Sequence, residues 1–176
     1  MKENKILWLA VNAKYSHTSL SVRYLREAVP GSEIMELTIN HQLLAMLGEI
    51  YSARPKVLGI SCYIWNIEYI ERIVDDFHKV CPAVPIYLGG PEVMYKGEQY
   101  LKEHPQIEGI IVGEGEIPFE RLVAFYDREG SIDEIPGIVR RRENGSIVKT
   151  DAPPFISLDE IPLPMKGRIS ENQIIY

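Results

Sequence analysis

Five short aliphatic runs, KILWLAVNA, SEIMELTI, KVLGISCY, VPIYLGG and EGIIVGEG, limit what this chain can become more than any other feature. Their apolar residues follow one another almost without interruption. That is the pattern of strands covered on both faces, and so of a parallel sheet. The second run is more mixed, with Ile34 and Glu36, and reads as an edge strand. Helical patterns lie between the runs. Asn66 is a good N-cap for a helix over 66–80 that sets Ile67, Ile70, Val74 and Phe77 on one face. Leu43, Leu44, Leu47 and Ile50 do the same over 41–53, and Pro55 stops that helix. Pro118 stands near the start of a further helix carrying Leu122, Val123 and Tyr126. The alternation predicts an α/β, flavodoxin-like, doubly wound sheet of five parallel strands in the order 2-1-3-4-5.

The pattern changes near residue 130. GIVRRRENGSIVKT has two β-prone stretches around Asn144-Gly145, a strong hairpin signal. DAPPFISLDEIPLP follows; its prolines exclude a helix and leave an extended strap. The expected organisation is a Rossmann-like domain over 1–130, a β-hairpin appendage over 131–150 and a linker over 151–176.

Composition narrows the partners. Net charge is −6, and the one basic run, Arg140 to Arg142, reads as a solvated strand end, so nucleic acid is not expected. The two cysteines, Cys62 and Cys81, match no zinc or redox spacing, and no metal site is expected within the chain. The apolar run near the start, ILWLAV, is too short for a secretory core or a membrane span, which predicts a cytoplasmic protein.

In an open parallel sheet, ligands bind beyond the carboxyl ends of the strands. The loops there carry Asn12, Lys14, Tyr15 and His17 after the first strand, and Ser61, Cys62, Tyr63 and Trp65 after the third. Gly89, Gly90, Pro91 and Glu92 follow the fourth, and Gly113, Glu114, Gly115 and Glu116 the fifth. No dinucleotide fingerprint, phosphate loop or nucleophile elbow is present. A glycine pair after a strand serves either a tight turn or a ligand that touches the main chain. Three neighbouring strand ends with small residues favour a large ligand lying against backbone N–H and C=O groups. A flavodoxin-like domain for another nucleotide-type ligand, or an interaction module, is the alternative.

In their order along the chain, NAKYSH, GISCY, LGGPEV, VGEGE, IPGIVRR and LDEIPLP resemble the cobalamin-binding domain at the N-terminus of many radical S-adenosylmethionine enzymes. The resemblance spans almost the whole chain. It implies a flavodoxin-like domain in which the nucleotide tail of cobalamin threads a groove between strands and the corrin ring lies over their ends. Ser61 would then hydrogen-bond near the tail, Gly89 and Gly90 would let it pass the main chain, and Gly113, Glu114 and Gly115 would line the other side. Tyr15, Tyr63 and Trp65 either contact the ring or pack their loops. Glu116 either bonds corrin amides or meets the dipole of the next helix. Other cobalamin proteins carry D-x-H-x-x-G after the first strand. Here the stretch is Tyr15-Ser16-His17-Thr18-Ser19-Leu20, without the Asp that orients the His. His17 is then either a cobalt ligand, or it caps a helix start or touches the corrin edge. The family's other half holds a 4Fe-4S cluster through C-x-x-x-C-x-x-C and uses S-adenosylmethionine. With only two cysteines, this chain lacks that motif and is expected to be inactive alone, its C-terminal radical domain lying beyond NQIIY. Methyl transfer or cobalamin-assisted radical chemistry is what the likeness implies for the full-length enzyme.

Overall fold

The computed structural model describes residues 6–15 and 18–154. His17 and most of the expected linker fall outside them. The elements run β1 (Ile6–Asn12), α1 (Leu20–Ala28), β2 (Glu33–Thr38), α2 (Leu43–Ala53), β3 (Val57–Ser61), α3 (Ile67–Val80) and β4 (Ile86–Gly89). Then come α4 (Pro91–Met94), α5 (Gly97–Glu103), β5 (Gly109–Ile111), α6 (Glu116–Tyr126), β6 (Ile138–Arg141) and β7 (Ile147–Lys149). They form one sheet of order β2-β1-β3-β4-β5-β6-β7. The first five strands are parallel in the expected flavodoxin-like order, with β2 at the edge.

Alternate residues of each strand feed two apolar layers. Leu7, Leu9 and Val11 of β1, with Leu58, Ile60, Ile86, Leu88 and Ile110, pack on α2, α3, α4 and α5. Ile6, Trp8 and Ala10, with Val57, Tyr87 and Ile111, pack on α1 and α6. The second layer holds two large aromatics, and the neighbouring strand makes room for each. Trp8 pairs in register with Gly59, where an added Cβ would lie 2.4 Å from the indole. Tyr87 pairs with Gly109, where it would lie 2.9 Å from the phenol ring. Glycine inside a strand is thus a packing device here.

The sheet has seven strands rather than five, because the C-terminal hairpin does not hang off the sheet as an appendage. β6 pairs antiparallel with β5 and buries Ile138 and Val139, and β7 pairs with β6. The open edge of a three-residue β5 would leave backbone donors unpaired, and β6 covers it. The basic run at its end also differs from the solvated strand end expected. Arg140 is buried and ion-pairs with Asp133, whose carboxyl it holds below its ordinary range, while Arg141 donates to the Leu101 carbonyl. The β4–β5 crossover consists of two short helices, too brief to show a helical period.

Asn66 stands at the N-cap of α3 but makes no cap bond. Its buried amide instead donates to the carbonyls of Val11 (2.9 Å) and Ser61 (3.1 Å) and accepts from the Tyr63 N–H (2.8 Å). One side chain therefore ties the ends of β1 and β3 to the loop that follows β3. No helix among the described residues is long and apolar enough to cross a membrane.

Burial raises the Glu108 carboxyl above its ordinary range, and the Arg140 and Arg141 charges offset this only in part. The folded chain therefore holds that proton more tightly than the unfolded chain, so this group makes stability fall as pH rises through the carboxylate range. Glu108→Gln should unfold at higher urea than the parent at pH 7. The difference should vanish below the unfolded carboxylate value of about 4.3.

Candidate functional site

At the carboxyl ends of β3, β4 and β5 the sheet opens into a cavity of ≈ 390 Å³. Gly59, Ile60 and Ser61 of β3, Gly89 of β4 and Ile111 of β5 form the sheet wall. Val22, Tyr24 and Leu25 of α1 and Phe119 of α6 form the helix wall. Trp8 lies among them, its ring edge-on to Phe119 at 4.4 Å. Around the mouth stand Ser21, Tyr63, Pro91, Met94 and the segment Gly113 to Glu116. The cleft becomes more polar outward: aromatic and aliphatic carbon inside, hydroxyls, carboxylates and backbone at the strand ends.

The two glycines after β4 do different work. A Cβ at Gly89 would meet only Ile111, at 3.8 Å, so its missing side chain leaves open space in the cavity wall. Gly90 has φ +109 and ψ 171, a conformation essentially reserved for glycine, and a Cβ there would lie 2.4 Å from the Cys62 carbonyl oxygen. The chain turns there because the Cys62 N–H donates to the Gly89 carbonyl at 2.7 Å, which locks the β3 loop onto the end of β4. After β5, Gly113 has φ +88 and nothing within reach of a Cβ, which leaves that wall bare as well.

Of the residues singled out from sequence, the structure brings Ser61, Tyr63, Gly89, Gly90, Pro91, Gly113, Glu114, Gly115 and Glu116 together around this cleft. Glu116 is also the first residue of α6, at the positive end of its dipole. Trp65 stacks on Tyr63 with ring centroids 4.5 Å apart and planes 6° apart, and it stays half-exposed beside the mouth. The Tyr63 hydroxyl reaches the Ser21 hydroxyl of α1 at 3.4 Å, across the opening.

Others stand apart from the cavity. Cys62 is fully buried in the opposite core layer, and burial pushes its thiol far above the ordinary range. Asn12 donates to Glu36 at 3.4 Å on the β2 side, where Arg23 also pairs with Glu36. Tyr15 packs edge-on against His41 at 5.3 Å. Lys14 and Glu92 are exposed, and His17 lies outside the described residues.

The inner walls were not legible beforehand. Val22 and Leu25 belong to the apolar face of α1, and Trp8 is one apolar residue in the run ILWLAV. The one available signal was Gly59, a glycine inside the bulky run KVLGIS, which marks close approach of another group. Among the described residues the cleft lining holds no nucleophile–base pair, and no group of three or more His, Cys, Asp or Glu side chains is placed to hold a metal ion.

Residues 6–123 match the family model of the B12 binding domain. Two curated relatives resemble the chain over a similar stretch. A cobalamin-dependent radical SAM methyltransferase, TokK of Streptomyces tokunonensis, is 29% identical over 111 residues, covering 62% of this chain and 16% of that protein. An anaerobic magnesium-protoporphyrin IX monomethyl ester cyclase of Rubrivivax gelatinosus is 30% identical over 132 residues, covering 73% of this chain and 24% of that one. The chain thus spans a quarter or less of the length of either relative. Among solved structures, the cobalamin-dependent S-adenosylmethionine radical enzyme OxsB, with aqua-cobalamin and S-adenosylmethionine bound, shares the fold. Its TM-score is 0.75 at 16% identity, over 86% of this chain and 22% of that one. With most of its length matched, from the first strand to the last helix, the chain belongs to the B12-binding domain family, and its cofactor is cobalamin.

Proposed function

We propose that the chain is the cobalamin-holding part of a radical S-adenosylmethionine enzyme, with the nucleotide tail in the cavity and the corrin ring over the strand ends. The single observation that carries this reading is the bare carboxyl edge: Gly89 and Gly113 leave open wall on neighbouring strands, above a cavity lined by carbon. The residues present fit the group. Ser61, Gly89 and Gly90 would border the tail on one side, and Gly113, Glu114 and Gly115 on the other. The carboxylates of Glu114 and Glu116 would accept from corrin amides, and the Tyr63–Trp65 stack would shield an apolar part of the ring from water. Bound cobalamin supplies a cobalt centre that carries a methyl group or exchanges electrons with a substrate radical. The protein's share is orientation and exclusion of water.

In the same reading the cobalamin unit spans 1–130, the hairpin of 131–150 completes its sheet, and 151–176 leads to a radical domain in cis that carries the 4Fe-4S cluster and binds S-adenosylmethionine. Methyl transfer is the reaction that the likeness to TokK supports; the likeness to the cyclase supports cobalamin-assisted radical chemistry of another outcome. Two unpaired cysteines, Cys62 and Cys81, suit the reducing cytoplasm.

The test is direct. The protein is mixed with hydroxocobalamin, desalted, and read in the visible range and by thermal melting. The corrinoid spectrum should coelute with the protein. At a hundredfold excess over Kd, mass action adds about 2.7 kcal/mol, which is roughly 5–10 °C in Tm for a chain of this size. A colourless eluate with an unshifted melt would sink the proposal.

A further inference from the structure

The inner part of the cavity has a chemistry more selective than its volume. Register sets the depth: Gly59 lies two residues below Ser61 on β3, and Trp8 lies beside Gly59 on β1. The apolar lining is Trp8, Val22, Leu25, Gly59 and Phe119, with Ile111 level with Gly89 and Ser61 nearer the strand ends, and all six offer carbon surface. The Trp8 indole N–H is buried without a partner, so the only polar side-chain atom these six contribute is a donor. The strand carbonyls beside it are engaged in the β1–β3–β4 ladder. Serines, glutamates and the Tyr63 hydroxyl stand nearer the strand ends. Tyr24 on α1 is the exception, a single hydroxyl along the helix wall.

We infer that this inner pocket selects corrinoids by the base at the end of the nucleotide tail, accepting a benzimidazole and disfavouring a purine. The inference deepens the proposed function and rests on its placing of the tail in the cavity. A dimethylbenzimidazole presents methyl groups, a carbocyclic edge and one free ring nitrogen, which suit aromatic and aliphatic walls. An adenine presents an exocyclic amine, a donor, together with several ring-nitrogen acceptors. The Tyr24 hydroxyl and the Trp8 N–H are too few to satisfy all of these at once. Polar edge atoms buried against carbon lose their bonds to water without replacement, and that loss is the source of discrimination. The cost is partial, because a base can shift toward the mouth. The expected ratio is therefore roughly tenfold to a hundredfold, the range in which apolar pockets reject an added polar group.

Three ligands separate the possibilities when the affinity of the chain for each is measured by visible titration: cobalamin, its adenine-based analogue, and cobinamide, which lacks the nucleotide and base. Cobalamin should bind tightest, the adenine analogue at least tenfold more weakly, and cobinamide more weakly still. If the adenine analogue binds within threefold of cobalamin while cobinamide binds far more weakly, the selectivity is overturned and the tail placement stands. If cobinamide equals cobalamin, or none of the three binds, both fall. Leu25→Gln adds an amide to the inner wall at similar volume, and it should narrow the ratio between the two bases by severalfold. A ratio unchanged in a folded Leu25→Gln protein would remove the inner wall as the selecting element.

Discussion

Gly89→Leu is expected to weaken cobalamin binding by at least about a hundredfold while leaving the fold intact. The backbone at this position is ordinary strand, and its carbonyl keeps the bond from the Cys62 N–H whatever the side chain. A Cβ would meet Ile111 at 3.8 Å, which is ordinary contact, and the rest of a leucine would extend into the cavity that Gly89 lines. A hundredfold loss corresponds to about 2.7 kcal/mol, a modest demand on a side chain that occupies the ligand's own volume. Titration with hydroxocobalamin reads the affinity, and the melt of the free protein, which should stay within a few degrees of the parent, reads the fold. Retained affinity would mean that the tail does not pass β4.

Gly90→Ala should do the reverse and act on the fold first. The residue sits at φ +109 and ψ 171, and its Cβ would fall 2.4 Å from a backbone oxygen of the β3 loop, which cannot rotate aside. Strain of this kind costs about 1–3 kcal/mol, and the clash adds to it. A loss of about 3–5 kcal/mol is therefore expected, from a domain whose whole stability is of order 5–15 kcal/mol. In urea the midpoint should drop by roughly 1–3 M. A midpoint within about 0.3 M of the parent would show that the loop can move away from β4 at little cost. Adjacent glycines in one motif thus answer to different constraints, one to the ligand and one to the chain.

The parallel sheet and its order were legible because burial on both faces leaves a mark in each strand by itself: an unbroken aliphatic run needs no knowledge of its neighbours. β1, β3, β4 and β5 all carry it. The rim of the cleft was legible for a related reason. Every parallel strand delivers its carboxyl end to the same edge, so Ser61, Gly89 and Gly113 could be placed together from order alone. What failed to show were features that depend on a partner outside the regular period of their own element. Arg140 looks like a surface charge until Asp133 folds against it. Asn66 looks like a cap until Val11 and Ser61 come within its reach. The hairpin looks separate until the edge of β5 calls for a strand.

By itself the order of residues determined the layers, the strand order, and which edge lacks side-chain bulk, because these follow from local periodicity and from the handed geometry of parallel crossovers. Only the tertiary structure decided that α1 and α6 stand off the sheet far enough to leave a carbon-walled cavity beneath that edge. The separation comes from how Trp8, Gly59, Leu25 and Phe119 pack against one another, and these residues come from four elements far apart in sequence.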